Sequence, residues 1–235
     1  MVKYLLFDLD GTLLPLDTDH FIASYIRSIS GFFSHLIDPR RFGKQLIESC
    51  YAMINNLDPT LTNEQKFMAD FFVKLELAPT EMMPLFDTYY RERYQEVRET
   101  VSPSPLARQI VETALGKGMR VVLATNPIFP RVAIKQRMQW AGIADLPWEL
   151  ITTYEDAHFC KPHPQYYSEI LQRLNAQPHE CIHIGNDADE DMAAQAAGIP
   201  VVMVEDCLIN RQNKTLSDCY FKGDLATVAE WLASK

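Results

Sequence analysis

Four short apolar runs, each followed at once by polar residues, constrain the fold of this 235-residue chain most strongly. Runs of this length, bounded by turn-forming residues, are typical of buried strands. They cover residues 2–7, 120–124, 181–184 and 199–204. Helix-like stretches at 105–117, 131–140, 165–174 and 189–197 accompany them. This alternation predicts an α/β fold, a doubly wound, Rossmann-like parallel sheet with helices on both faces.

The first two strands are separated by far more chain than a crossover requires. Residues 8 and 125 lie 117 positions apart, whereas a crossover with its helix needs about 30 residues. Between them, aromatic and apolar residues recur at helical spacing, and the pattern breaks at 38–39, 55–59 and 78–80. We therefore predict an all-helical cap of four helices over residues 15–102. Residues 1–14 and 103–235 would form the α/β core.

Composition excludes several classes of function. The chain is 47% hydrophobic and 23% charged, as globular proteins are. Its net charge of −9 argues against nucleic acid or an anionic membrane as a partner. No run approaches a membrane span, and the N-terminal run meets Asp8 before a secretory segment could form, so we expect a cytoplasmic protein. Five cysteines without metal-site spacing predict reduced, mostly buried thiols.

Two carboxylates, Asp8 and Asp10, follow the first strand. Side chains two positions apart in extended backbone point to the same side, so both could face one cavity. Like charges this close are costly unless a cation lies between them or one is protonated. A hard cation such as Mg²⁺ would relieve the repulsion and leave one carboxylate free to attack. Turn-forming aspartates beside Gly11 would give the same pattern. The assignment of a cation and a nucleophile to this pair therefore depends on the polar residues at the other strand ends.

Polar residues at the other strand ends extend this pattern along nearly the whole chain. Together with the first strand end, they resemble the four motifs of the haloacid dehalogenase superfamily. The matching segments are residues 7–13, 123–126, 161–162, and 184–187 with Asp191. The resemblance spans residues 2 to 204, and it implies a phosphohydrolase with an aspartate nucleophile and a helical cap inserted after the first motif.

The resemblance implies a role for each matched residue. Asp8 would be the nucleophile that forms an aspartyl-phosphate, and Asp10 would be the general acid and then the general base. Thr125 and the backbone amides near Asn126 would bind the phosphoryl oxygens. Lys161 would bind the phosphoryl group as well and neutralise the charge that builds in the transition state.

The implied metal site departs from the commonest form of the family, which has Asp where this chain has Asn186. Asp8 and Asp10 would bind Mg²⁺ together with Asn186 or Asp187, and Asp191 would act through water. An amide oxygen can coordinate Mg²⁺ but brings no charge. The direct ligand therefore stays open between Asn186 and Asp187.

The resemblance implies a Mg²⁺-dependent phosphatase that acts on a small phosphate monoester, and we expect a monomer or a homodimer. A phosphomutase is an alternative, as is a phosphonatase that would use a Schiff-base lysine in the cap (Lys44, Lys66 or Lys74). The neutral Asn186 also leaves open a non-catalytic phosphate-binding or regulatory module. The chain has no GxGxxG or GxxxxGK[ST] motif for a nucleotide. Candidate cap contacts to the substrate are His20, Arg27, Arg40, Arg41 and Lys44.

Overall fold

Six strands form one parallel sheet in the computed structural model of this chain, which describes residues 2–235. In chain order they are β1 (Tyr4–Phe7), β2 (Arg120–Leu123), β3 (Trp148–Ile151), β4 (Cys181–Gly185), β5 (Val201–Val204) and β6 (Phe221–Gly223). The order across the sheet is β3-β2-β1-β4-β5-β6, and every pairing is parallel. The predicted parallel α/β sheet is thus confirmed.

The segment between β1 and β2 consists of helices joined by loops from residue 18 to residue 100. They are α1 (Thr18–Phe32), α2 (Pro39–Asn55), α3 (Asn63–Leu75) and α4 (Pro79–Glu92), with 3-10 helices at Phe33–His35 and Tyr94–Thr100. The remaining helices are α5 (Pro105–Gly116), α6 (Arg131–Trp140), α7 (Pro164–Leu174) and α8 (Leu225–Ala233), with 3-10 helices at Pro178–Glu180 and Asp191–Ala197. Within residues 2–235, no helix is both long and apolar enough to cross a membrane.

The two ends of the helical insertion lie side by side. Leu16 and Val101 form an antiparallel bridge, and the Ser102 N–H donates to the Pro15 carbonyl at 2.8 Å. The chain therefore leaves and re-enters the sheet at one place, as expected for a cap inserted into a core. The division into a core (1–14 and 103–235) and a cap (15–102) stays a prediction.

The central strand β1 is buried on both faces. Leu5 and Phe7 pack in an apolar cluster with residues of α5, α6, α8 and the inserted helices. Tyr4 and Leu6 pack on the other face with residues of α7. A strand covered by helices on both faces is typical of a doubly wound sheet.

Three features differ from the sequence predictions. The sequence does not predict β3 and β6, which are short, lie at the sheet edges and keep half-exposed side chains. Residues 191–197 form a 3-10 helix instead of the α-helix predicted over 189–197. The Asp187 carboxylate accepts the N–H groups of Asp189 and Glu190, and this turn takes up the first residues of the predicted helix. All five cysteines are free, but only Cys160 and Cys181 are buried.

A buried amide ties the inserted helices to loops of the sheet. Asn63, at the start of α3, is 0% exposed, and its Nδ2 donates to the carbonyls of Pro127 (3.3 Å) and Phe159 (3.2 Å). One turn later, the ammonium of Lys66 donates to the His158 carbonyl. Helix α3 therefore binds both the loop after β2 and the loop before α7.

Replacing Asn63 with Ala should lower the free energy of unfolding by about 1–3 kcal/mol, because two buried carbonyls would lose their donor. Urea denaturation would measure the change. The matched control is Asn55→Ala, since Asn55 is exposed and its amide donates only to the Tyr51 carbonyl of its own helix. Equal losses in the two variants would contradict the assigned contact.

Candidate active site

The polar strand ends meet at the point where the sheet topology reverses. Asp8 follows β1 and Asn186 follows β4, the two adjacent strands between which the connections change direction, and Thr125 lies beyond the end of β2. The Asp8 N–H donates to the Ile184 carbonyl at 2.8 Å, which fixes the start of the turn. Open α/β sheets bind their ligands at this topological switch point.

Lys161 lies at the centre of the site. It is 1% exposed, and its Nζ lies 2.8 Å from Asp8 Oδ1 and 2.6 Å from Asp191 Oδ1. Burial alone would lower the pKa of Lys161, but the carboxylates of Asp191 and Asp8 raise it well above its usual value. The side chain is therefore a charged ammonium held between two carboxyl groups.

The two carboxyl groups bound by Lys161 differ in their ionisation. Burial raises the pKa of Asp8 to about 7, although Lys161 opposes the shift. Burial acts on Asp191 in the same way, but Lys161 and His183 hold its pKa well below the usual range. Burial also lowers the pKa of His183, whose Nε2 lies 2.8 Å from Asp191 Oδ1. Asp191 is therefore the permanent anion, whereas Asp8 titrates near neutral pH.

Thr12 brings an oxygen of Asp8 and an oxygen of Asn186 towards one point. Its hydroxyl Oγ1 lies 2.8 Å from Asn186 Oδ1 and 3.5 Å from Asp8 Oδ2. Gly11 permits this approach, because its φ is 82° and a Cβ there would collide with the Asn186 amide. Asn186 Nδ2 donates to the Cys207 carbonyl at 2.7 Å, which fixes the orientation of the amide.

Asp187 points elsewhere, although it is the alternative predicted ligand. Its Oδ1 accepts the backbone N–H groups of Asp189 (2.7 Å) and Glu190 (3.1 Å). Burial raises the pKa of Asp187. Of the two candidates, Asn186 is the one that shares a hydrogen-bond partner, Thr12, with Asp8.

The oxygens of Asp8 and Asn186 fit a hard cation that keeps much of its water. Mg²⁺ is usually bound by one or two carboxylates, several waters and substrate phosphate. Within residues 2–235, no group of three or more His, Cys, Asp and Glu side chains is arranged to hold a metal ion. Asp8 and Asn186 thus supply two oxygens of the kind that such a cation binds.

The predicted phosphate-binding loop is fixed beside Lys161. Thr125 is 2% exposed, and its carbonyl accepts the Thr152 hydroxyl at 2.7 Å. Asn126 Oδ1 accepts the Lys161 backbone N–H at 3.2 Å, and Asn126 Nδ2 donates to Glu190 Oε2 at 2.9 Å. Burial raises the pKa of Glu190 to about 8. Asn126, which follows Thr125 in the chain, therefore contacts the Lys161 backbone, whereas the role of both residues in phosphate binding stays a prediction.

Arg137 belongs to the site, although the sequence analysis does not identify it. Its side chain, in α6, is 0% exposed and pairs with Asp10 Oδ2. The guanidinium lies over the Phe129 ring, 4.2 Å from its centroid, and near Phe21. Burial raises the pKa of Asp10, and Arg137 opposes that shift. Asp10 is therefore held by Arg137, whereas Asp8 is held by Lys161.

The basic residues predicted as cap contacts are all solvent-exposed. Within the described chain, none of them forms a hydrogen bond or an ion pair with the residues around Lys161. They are His20, Arg27, Arg40, Arg41 and Lys44.

The Arg137–Asp10 pair can be tested with a double-mutant cycle measured by urea denaturation. Arg137→Met should lower the free energy of unfolding by about 3 kcal/mol, because it leaves the carboxylate of Asp10 without its partner. The double variant with Asp10→Asn should lose less free energy of unfolding than the two single variants lose together. The coupling energy should be at least about 1 kcal/mol. The exposed pair Arg108 and Asp145 is the control, and its coupling should be close to zero. Strict additivity at Arg137 and Asp10 would show that the contact does not form.

Comparisons with known proteins agree with this geometry. A model of the family described as haloacid dehalogenase-like hydrolase matches residues 2–198. Pyrophosphatase PpaX from Bacillus pumilus (strain SAFR-032) is 22% identical over 202 residues, which cover 84% of this chain and 80% of that protein.

Solved structures share the fold. A HAD phosphatase from Thermococcus onnurineus superposes with a TM-score of 0.61 at 17% identity, covering 100% of this chain and 99% of that chain. A putative beta-phosphoglucomutase from Thermotoga maritima has a TM-score of 0.59 at 18% identity, covering 99% of both chains. The family match confirms the predicted resemblance and enzyme class, and the solved structures confirm the fold. The chain belongs to the haloacid dehalogenase-like hydrolase family.

Proposed function

We propose that this protein is a Mg²⁺-dependent phosphatase that hydrolyses a small phosphate monoester through an aspartyl-phosphate on Asp8. The observation that carries the proposal is the buried ammonium of Lys161 between Asp8 and Asp191, at the switch point of the sheet. The family match and the similarity to PpaX support phosphate chemistry at this point. The net charge of −9 supports a small ligand rather than a polyanion, and we expect a cytoplasmic monomer or homodimer.

In the first step, a carboxylate oxygen of Asp8 would attack phosphorus, and the bond from phosphorus to the leaving oxygen would break. Lys161 would balance the negative charge on the phosphoryl oxygens, and Thr125 with the amides near Asn126 would bind them. Asp10 would give its proton to the leaving oxygen. Because burial raises the pKa of Asp10, its carboxyl group holds a proton more readily than a free aspartate does.

In the second step, water would attack phosphorus while Asp10 takes up the water proton, and the bond from phosphorus to Asp8 would break. The two oxygens of Asp10 are suited to different tasks. Its Oδ2 pairs with Arg137, whereas its Oδ1 has no hydrogen-bond partner among residues 2–235. We therefore assign proton transfer to Oδ1 and positioning of the carboxyl group to the contact with Arg137.

Asp8 and Asn186 would hold Mg²⁺, which would offset the negative charge of Asp8 and the phosphoryl group when bound. Of the other predicted ligands, Asp10 pairs with Arg137 through Oδ2, and Asp187 accepts two backbone N–H groups through Oδ1. Asp191 would act through Lys161, because its oxygens bind Lys161, His183 and the Asp187 N–H.

The phosphonatase alternative has no supporting lysine. Lys44 and Lys74 are exposed and pair with carboxylates one helical turn away. Lys66 donates to two backbone carbonyls. A phosphomutase and a non-catalytic module differ from the proposed phosphatase in whether inorganic phosphate is released.

Asp8→Asn should reduce phosphate release at least about a thousandfold, because an amide cannot form the phosphoenzyme. The measurement is phosphate release from sugar, nucleotide and alkyl phosphates with and without Mg²⁺, with circular dichroism to check the fold. The control is Asp218→Asn, which should keep full activity because Asp218 is exposed and its side chain contacts Ser217 rather than a residue of the candidate site. Equal turnover by Asp8→Asn and the wild type would exclude Asp8 as the nucleophile.

Asn186→Ala should raise the Mg²⁺ concentration needed for half-maximal activity by about tenfold or more, because it removes an oxygen ligand. Asp187→Ala is the comparison, and it should change the Mg²⁺ requirement less, since the Asp187 carboxylate caps a turn. Titration of activity with Mg²⁺ measures the Mg²⁺ requirement of both variants. A larger change in the Asp187 variant would reverse the assignment of the ligand.

A further inference from the structure

A large apolar cavity lies among the inserted helices, apart from the residues assigned to the chemistry. Its volume is about 810 Å³, and α1, α2, α3, α4 and residues 128–132 of the core line it. We refer to it as the cap cavity. Most of its lining side chains are aliphatic or aromatic, among them Ile26, Ile54, Met68, Phe86, Tyr90 and Phe129. Pockets of this size and character hold small organic ligands.

The cap cavity is bordered by a residue that contacts the predicted phosphate-binding loop. Glu190 is part of its lining, and the Glu190 carboxylate accepts Asn126 Nδ2 at 2.9 Å. Asn126 in turn accepts the backbone N–H of Lys161, whose ammonium binds Asp8. The lining residues Ile128 and Phe129 follow Asn126 along the chain. Glu190 and Asn126 therefore link the wall of the cap cavity to the segment that holds Lys161.

The charges in the cap cavity disfavour an anionic ligand. Its acidic lining residues are Glu64, Asp87, Glu155 and Glu190. Only Arg131 and Lys135 are basic. Arg131 already pairs with Asp156, and Lys135 is solvent-exposed. In the described part of the chain, the cap cavity thus has no buried free cation to bind a second phosphate or a carboxylate.

We propose that the cap cavity binds the leaving group of the substrate, and that this group is a neutral, mainly apolar alcohol. This inference rests on the proposed function and adds the substrate class to it. Burial of each apolar methylene favours binding, whereas a second anionic group would meet acidic side chains without a compensating cation. Pyrophosphate and esters with a carboxylate in the leaving group should therefore be poor substrates, although the PpaX relatives are pyrophosphatases.

A chain-length series tests the substrate class. The ratio kcat/KM should rise about threefold for each methylene from ethyl phosphate to n-octyl phosphate. Pyrophosphate and phosphoglycolate, with a second anionic group, should be hydrolysed less efficiently than n-octyl phosphate. A flat or falling series, or a preference for either anionic compound, would overturn the inference.

Two tryptophan variants on α3 test whether the cap cavity causes the dependence of kcat/KM on chain length. Met68 lines the cap cavity, whereas Val73 is 73% exposed and does not. Met68→Trp should reduce the ratio of octyl to ethyl phosphate hydrolysis at least about tenfold by filling the cap cavity, and Val73→Trp should leave this ratio unchanged. An unchanged ratio in a folded Met68→Trp protein would show that the cap cavity is only a packing void.

A binding measurement separates this inference from the proposed function. The probe n-octylphosphonate has no ester bond, and methylphosphonate is its short comparator. Calorimetry on the wild-type protein with Mg²⁺ should show at least about a hundredfold tighter binding of n-octylphosphonate. Equal affinities would overturn the inference. If no ester is hydrolysed but n-octylphosphonate still binds more tightly, the phosphatase proposal fails and the apolar binding site stands.

Discussion

The rest of the site depends on the buried contact between the Lys161 ammonium and the carboxyl groups of Asp8 and Asp191. A buried charge is costly unless it is paired and hydrogen-bonded. His183 and the Asp187 N–H bind the remaining positions on Asp191, so the anion opposite Lys161 is fully supported. Because Asp191 neutralises the ammonium permanently, Asp8 can change its ionisation and its bonding without leaving Lys161 unpaired.

A second buried cation, Arg137, gives Asp10 an environment separate from that of Asp8. Two aspartates two positions apart are thereby held by different partners on different elements. Separate environments allow two neighbouring carboxyl groups to take different roles in one site. The inserted helices contribute little charge to this chemistry, and their cap cavity offers apolar surface instead. Charge at the sheet edge and apolar surface in the cap would then recognise the two ends of one ester.

Much of this arrangement is predictable because parallel strands deliver their carboxyl ends to one edge. The positions of Asp8, Thr125 and Asn186 follow from that rule. Arg137 is harder to find, since a single arginine on a helix usually faces solvent, yet its spacing from Ala133 and Ile134 places it on the buried face of α6. The choice between Asn186 and Asp187 depends on a local turn that spacing does not reveal. The edge strands β3 and β6 lack the continuous apolar run that marks the buried strands.

The steric course at phosphorus tests the central claim most directly. The measurement uses a phosphorothioate monoester made chiral at phosphorus with two oxygen isotopes, hydrolyses it in water that carries the third isotope, and determines the configuration of the released thiophosphate. The account predicts overall retention, because attack by Asp8 and attack by the acceptor each invert the configuration. Inversion would contradict it, since a single in-line displacement by water requires no aspartyl-phosphate.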